Sequence, residues 1–483
     1  MQRYRTFDVE LFGHTQANGR EVFNVRVADS DVGEQRIAQA SRVMLPLTVR
    51  DDVAALARRQ LAMPELIALG ETLGRALLPD SVRSLWVAAM ARLADDEGLR
   101  LRIRCDTYGL AELPWEYVHV TPPDLANERP GPEGFLALNR RVSVVRYESQ
   151  EGPQVALGAG VSPIRLVAVL ASPAGDERFG PLDVAAERRS IEQALGGVES
   201  VRAEFVPDAT LDSLLGALAA PAQVFHFAGH GVFTGELGAR YGSQQGESAV
   251  VLLEDDAGAR LLPAARLAMA LTGRGVRLAV LTACETGQRD AANAWAGVAT
   301  ALTRAGIPAV VGMQFRIRDG NAVTFSRAFY RALAAGQSVD GAVSDGRLAV
   351  FASTGDDERD WGVPVLYLRA QEGVLFPSAG AGVEGAGAGG AAARERPSEG
   401  VVDKRGLRQA LVGTFSADDL DLLCSDIESA LAEDGITLQV NLDMVGGDTK
   451  PVQVLRLIEY LDNRGYLHYL VAAVREQRPG LIP

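Results

Sequence analysis

Between residues 160 and 370 the sequence repeats one arrangement: a short run apolar on both faces, then a longer stretch with helical spacing. The runs cover residues 165–171, 224–227, 249–253, 278–282, 309–313 and 363–368. A strand with one wet face alternates apolar and polar side chains, because successive residues point to opposite sides. Runs without that alternation need cover on both faces, and helical crossovers between parallel strands provide it. The expected fold class is α/β, built on a buried and mostly parallel sheet.

Composition narrows the function. The 483 residues amount to about three domain-sized units, and 47% hydrophobic with 23% charged residues is globular composition. Acids outnumber bases by 62 to 48, a net charge of −14, which argues against a nucleic-acid partner. Lys404 and Lys450 are the two lysines, so residues 1–403 hold no P-loop, kinase-type lysine or pyridoxal Schiff base. Three cysteines, Cys105, Cys284 and Cys424, form no paired framework and no C-x-x-C zinc spacing. They point to a reducing compartment, with no metal and no cofactor expected. The start, MQRYRTFDVELF, lacks a signal-peptide core, and residues 296–315 are interrupted by Arg304, Gly306 and Pro308. No membrane span and a cytoplasmic location are expected.

Residues 376–400 read FPSAGAGVEGAGAGGAAARERPSEG, a flexible tether by composition. The expected organisation is an N-terminal α/β extension at 1–99, a main domain at 100–375, a linker at 376–402 and a C-terminal domain at 403–483. In the extension, strands at 7–11 and 22–27 flank a turn at 16–19, and residues 53–93 carry helical spacing through Leu66, Leu69, Leu73 and Leu77. In the C-terminal domain Leu407, Leu411, Leu420, Leu423, Ile427 and Leu431 recur at helical intervals. Thr449, Pro451 and Gly465 punctuate one later helix, and Leu467, Leu470, Val471 and Val474 suggest another, stopped at Pro479-Gly480. A small helical bundle is expected. Residues 436–444 alternate with period two. The acidic run between 411 and 449, which contains no Lys or Arg, reads first as a solvated face, and second as half of a bipolar module pairing acidic with basic surface.

Two of the apolar runs end in reactive side chains. QVFHFAGHG carries His226 inside the run and His230-Gly231 just beyond it, and RLAVLTACETG carries Cys284 just past its run. Ligands of open α/β sheets bind outside the carboxyl ends of the strands, so His230 and Cys284 are candidates for one crevice. Their separation, 284 − 230 = 54 positions, is close to the His–Cys spacing of caspases. A thiolate attacks a carbonyl carbon while an imidazole manages the proton. Gly231 lets a backbone N–H approach the developing oxyanion. His226, which alternates with Val224 and Ala228, reads as packed. Cys105 and Cys424 read as small hydrophobes. His14, His119 and His468 have no evident partner. Trp295, Val298, Ala299 and Leu302 share a helical stripe closed by Gly306 and Pro308, so residues 278–313 form a βαβ unit. Glu285 tends to raise the Cys284 pKa, whereas the following helix N-terminus favours the thiolate.

HFAGHG and LTACETG resemble the CHAT proteases, cysteine peptidases of the caspase–separase clan. Leu113-Pro114-Trp115-Glu116, Phe135-Leu136-Ala137-Leu138 and Val145-Arg146 resemble that family's opening segment, and Leu182-Asp183-Val184 with Glu187 its next element. Gly306-Ile307-Pro308-Ala309-Val310-Val311-Gly312, Phe329-Tyr330 and Trp361-Gly362-Val363-Pro364-Val365 resemble its closing half. The resemblance implies a caspase-like three-layer α/β/α sandwich. It also implies His230 as general base and acid, Cys284 as nucleophile, and the backbone N–H groups of Gly231 and Cys284 as oxyanion hole. LVGTFSADDLDLLCSDI and VLRLIEYLDNRGYLHYLVAAVREQRPG resemble effector-associated, death-like adaptor domains, which implies a protein partner bearing a related domain. The function implied is a cysteine endopeptidase acting on protein substrates, in bacterial defence or regulated cell death. The alternatives are a catalytically silent protease-fold scaffold and a thiol hydrolase of small amides.

Overall fold

Arg3–Ala17 (β1) and Arg20–Ser30 (β2) pair antiparallel as far as Gln16↔Glu21 and Ala17↔Arg20, which shortens the expected turn at 16–19, and Ser41–Met44 (β3) adds to β2. Both expected strands form and run longer than their apolar cores. In the computed structural model the described residues are 2–17, 19–121, 130–147, 163–173, 175–179, 181–233, 248–254, 258–283, 291–354, 359–370, 373–376, 404–433, 438, 440–442, 449–462 and 466–478. Apart from Phe376, the tether at 376–402 lies outside them.

The helical stretch at 53–93 divides into Val49–Ala57 (α1), Met63–Leu77 (α2) and Asp80–Ala91 (α3). Leu66, Leu69, Leu73 and Leu77 are all buried, as one face of a 3.6-residue repeat requires. Trp86 of α3 meets the edge of the Phe7 ring at 5.4 Å. Glu97–Cys105 (β4) then pairs parallel with β1. Tyr108–Ala111 (α4) and Val142–Arg146 (β5) follow.

The rest of the large sheet comes from Ile164–Leu170 (β6), Val201–Val206 (β7), Val224–Gly229 (β8), Leu278–Ala283 (β12), Ala309–Met313 (β13) and Pro364–Leu368 (β14). Its eleven strands run β3-β2-β1-β4-β5-β14-β13-β12-β8-β6-β7. Pairing is parallel except at β1–β2, β2–β3 and β13–β14. The mostly parallel α/β expectation holds. The helices on its faces are Val184–Leu195 (α5), Leu211–Ala217 (α6), Ala264–Leu271 (α7), Ala291–Arg304 (α8), Asp319–Ala334 (α9) and Val339–Thr354 (α10).

One run was misplaced by the periodicity. Residues 249–253 belong to Ser248–Leu253 (β10), the centre of a separate three-stranded antiparallel sheet with Gly231–Phe233 (β9) and Ala259–Pro263 (β11). Val250 and Leu252 join the main core, while Ala249 and Val251 join a smaller cluster with Phe179 and Val232. A strand buried on both faces has one signature whether its neighbours are parallel or antiparallel, which is why the run read as part of the main sheet.

Residues 1–384 form one compact unit and 385–483 a second. The second is helical, with Lys404–Thr414 (α11), Ala417–Glu433 (α12), Lys450–Asp462 (α13) and Leu467–Gln477 (α14). Every leucine, isoleucine and valine named above for this domain is buried. Ser416 and Asp419 exchange side-chain-to-backbone hydrogen bonds of 2.8 and 3.1 Å at the start of α12, a reciprocal cap. The carbonyl of Thr449 accepts from the N–H of Val452 and Gln453 at the Pro451 turn. Val440 and Leu442 are buried; the rest of 436–444 apart from 438 and 441, together with Gly465 and Pro479-Gly480, lies outside the described residues. Among the described residues no helix is long and apolar enough to cross a membrane.

Candidate active site

His230 is the single residue between the end of β8 in the large sheet and the start of β9 in the small one. Its carbonyl accepts a 2.9 Å hydrogen bond from Val251 N–H of β10. Its imidazole is buried, 5.2 Å from the Phe179 ring. Because Val251 donates to His230 while Gly231 sits opposite Val250, Gly231 occupies a non-hydrogen-bonded pair. The N–H of such a residue points away from the partner strand. A Cβ added at Gly231 would lie 2.6 Å from the Trp295 indole, so glycine is required here by close packing against α8.

The second strand end is β12, which pairs parallel with β8 from Leu278↔Val224 through to Ala283↔Gly229. In sequence, the residue after Ala283 is Cys284 and the residue after Gly229 is His230. Cys284 and Glu285 themselves lie outside the described residues. Downstream, Trp295, Val298, Ala299 and Leu302 are buried. Gly306 adopts φ +96° and ends α8 before β13, as a C-terminal glycine cap does. The expected βαβ unit is present.

Beneath the two strand ends lies a buried polar network. His226 is fully buried, as expected, with Nδ1 2.7 Å from the Tyr330 hydroxyl. Its Nε2 is 3.3 Å from Glu187 Oε1 and 3.4 Å from Thr282 Oγ1. Ser326 donates to Glu187 at 2.7 Å, and Thr282 donates to the Phe227 carbonyl at 3.3 Å. Burial first, and then the Glu187 charge, push the Tyr330 phenol well above its usual pKa. Glu187 occupies the first turn of α5, behind the Asp183 cap that accepts from Ala186 N–H, where a carboxylate is favoured. The sequence signal for Glu187 was available: it lies on the same stripe as the buried Ser190, Ile191 and Ala194, and a carboxylate at a core position needs partners.

Other motif residues hold the fold rather than the site. Glu116 is fully buried and accepts from Arg146 Nε and Nη2 at 2.8 and 2.6 Å, while Arg146 also donates to the Ala111 and Leu113 carbonyls. His119 is buried with Nε2 2.8 Å from the Gly131 carbonyl. His14 contacts Glu21 and Thr107, and His468 stacks on Tyr469. Cys424 is buried, and burial pushes its thiol up to about 12. Cys105 is half-buried in the wall of a cavity of about 520 Å³ between α8 and the ends of β4 and β5, lined also by Glu112, Tyr147 and Phe233. Burial raises the Glu112 carboxyl, against the lowering effect of Arg50.

Comparison with known proteins follows the same division. No curated protein matches the chain. Among solved structures, the Arg-specific cysteine proteinase gingipain R is 13% identical, with a TM-score of 0.38 over 64% of this chain and 70% of its own. The Saccharomyces cerevisiae separase–securin complex is 10% identical, with a TM-score of 0.41 over 75% of this chain. That alignment spans 30% of the separase chain. The model of the effector-associated domain 7 matches residues 407–479, the helical second unit. The model of the CHAT domain matches residues 68–379, well over half of the sequence, and the chain belongs to the CHAT family.

Proposed function

We propose that this chain is a cysteine endopeptidase in which Cys284 attacks the scissile carbonyl and His230 manages the proton. The register Ala283↔Gly229 carries the reading, because the two reactive residues are next in sequence after directly paired positions on adjacent parallel strands. In the mechanism, the Cys284 sulfur forms a bond to the carbonyl carbon. The oxyanion is held by the N–H groups of Gly231 and Cys284, and the orientation of Gly231 away from β10 supports its part. Collapse breaks the C–N bond as the His230 imidazolium gives its proton to the leaving amine. Water, deprotonated by His230, then hydrolyses the thioester and restores the thiol–imidazole pair. Glu285 opposes thiolate formation, so in the resting chain the thiolate depends on pairing with a charged His230 imidazole.

The effector-associated unit recruits a protein partner carrying a related domain, and that contact switches proteolysis on in the cytoplasm during bacterial defence or regulated cell death. The test exposes the full chain and its Cys284→Ala and His230→Ala variants to a denatured peptide library, with products read by mass spectrometry. Cleavage by the parent and by neither variant supports the dyad and reveals the residue accepted before the scissile bond. Equal cleavage by parent and Cys284→Ala refutes it. No cleavage by the parent, even with its partner domain added, leaves the silent scaffold as the better reading.

A further inference from the structure

The network of Glu187, His226, Thr282 and Tyr330 joins four elements: α5, β8, β12 and α9. His226 stands four residues before His230, and Thr282 two before Cys284. In the parallel register Val280 is opposite His226 and Thr282 opposite Ala228, so the His226–Thr282 contact crosses the strand pair diagonally. A diagonal contact is sensitive to sliding of one strand along the other. The backbone ladder alone opposes such sliding less specifically, since a slipped ladder can form again.

Hydrogen-bond accounting fixes the direction of the chain. Glu187 Oε1, a carboxylate oxygen that can only accept, faces His226 Nε2 at 3.3 Å, which favours the tautomer in which the Tyr330 hydroxyl donates to Nδ1 at 2.7 Å. Nδ1 is then an acceptor, and the neutral imidazole carries its proton on Nε2. That proton faces Glu187 Oε1 and Thr282 Oγ1. Ser326 supplies a second donor to the same carboxylate oxygen. Thr282, accepting from the imidazole, keeps its own proton for the Phe227 carbonyl on β8. Every side chain in the set is buried, where water cannot substitute for a lost partner and each contact depends on the next.

We propose that Glu187, His226, Thr282 and Tyr330 are positioning residues, a clasp that sets the register of β8 and β12 and thereby the approach of His230 to Cys284. This rests on the dyad reading given above. None of the four touches substrate; they act through the two strand ends.

The test follows the rate of Cys284 alkylation by iodoacetamide against pH in the full chain, read on the Cys284 peptide by mass spectrometry. This needs neither substrate nor activating partner. His230→Ala tests the dyad: it should remove the low-pH limb that an imidazole-paired thiolate produces. Thr282→Val removes the hydroxyl at nearly constant volume, Thr282→Ser restores it without the methyl group, and Tyr330→Phe removes the donor to Nδ1. Thr282→Val and Tyr330→Phe should each lower the low-pH alkylation rate about tenfold or move the limb by about one pH unit, with Thr282→Ser close to the parent. If His230→Ala changes the profile while Thr282→Val and Tyr330→Phe match the parent within twofold, the clasp is wrong and the dyad stands. If Thr282→Ser is impaired while Thr282→Val matches the parent, packing by the methyl group is responsible and the clasp is again refuted. If His230→Ala leaves the profile unchanged, the dyad reading falls and the clasp falls with it.

Discussion

Glu116→Gln should be among the most damaging isosteric changes in the large unit. The carboxylate is fully buried and accepts from Nε and Nη2 of the Arg146 guanidinium, itself 7% exposed, at 2.8 and 2.6 Å. Its charge also acts on Arg347, whose guanidinium burial pushes down to about 10 against the raising effect of Glu116. Glutamine keeps the shape and deletes the anion, leaving two buried arginines without it. Removing one partner of a buried pair costs about 3–5 kcal/mol. Arg146 retains the Ala111 and Leu113 carbonyls, so the cost should fall at the lower end, about 3 kcal/mol. Arg146→Met should cost less, because the orphaned carboxylate still feels Arg347. The double variant should cost clearly less than the sum, with a coupling of about 2 kcal/mol. Urea unfolding followed by tryptophan fluorescence measures this cleanly, because Trp86, Trp115, Trp295 and Trp361 all lie in the first unit and none in the second. Additive single costs, or a larger cost for Arg146→Met than for Glu116→Gln, would refute the reasoning.

Gly231→Ala should destabilise the same unit by about 1–3 kcal/mol, since the new Cβ would stand 2.6 Å from the Trp295 ring; Trp295→Leu in the same chain should recover part of that loss in thermal unfolding. Asp176 is held down to about 2, chiefly by its hydrogen bonds from Arg178. A depressed carboxyl stabilises fully above its unfolded pKa near 3.8 and loses that contribution as pH falls towards 2, so Asp176→Asn should flatten acid unfolding between pH 4 and 2. Cys424 should resist alkylation at pH 8 until the second unit unfolds, because its thiol is buried and raised to about 12; modification of the folded chain at the rate of a free thiol would contradict this.

What could be read from the sequence was local. Two-faced apolar runs marked five strands of the main sheet, the stripe from Trp295 to Leu302 with Gly306 marked α8, and leucine spacing marked the helices of the second unit. Each of these patterns repeats within one element, where chain geometry fixes which side chains share a face. The candidate dyad was visible for the same reason, since His230 and Cys284 each follow an apolar run directly. Tertiary structure decided what depends on pairing between distant segments. It turned 249–253 into the middle of a second sheet, set β14 antiparallel to β13 within a mostly parallel array, and brought Tyr330 to His226 across 104 positions. Glu187 and Glu116 were visible in the sequence as motif residues, Glu187 also by its helical stripe, but their partners were not. Only the fold, by removing water around them and supplying His226 and Arg146, made them buried anions with fixed partners.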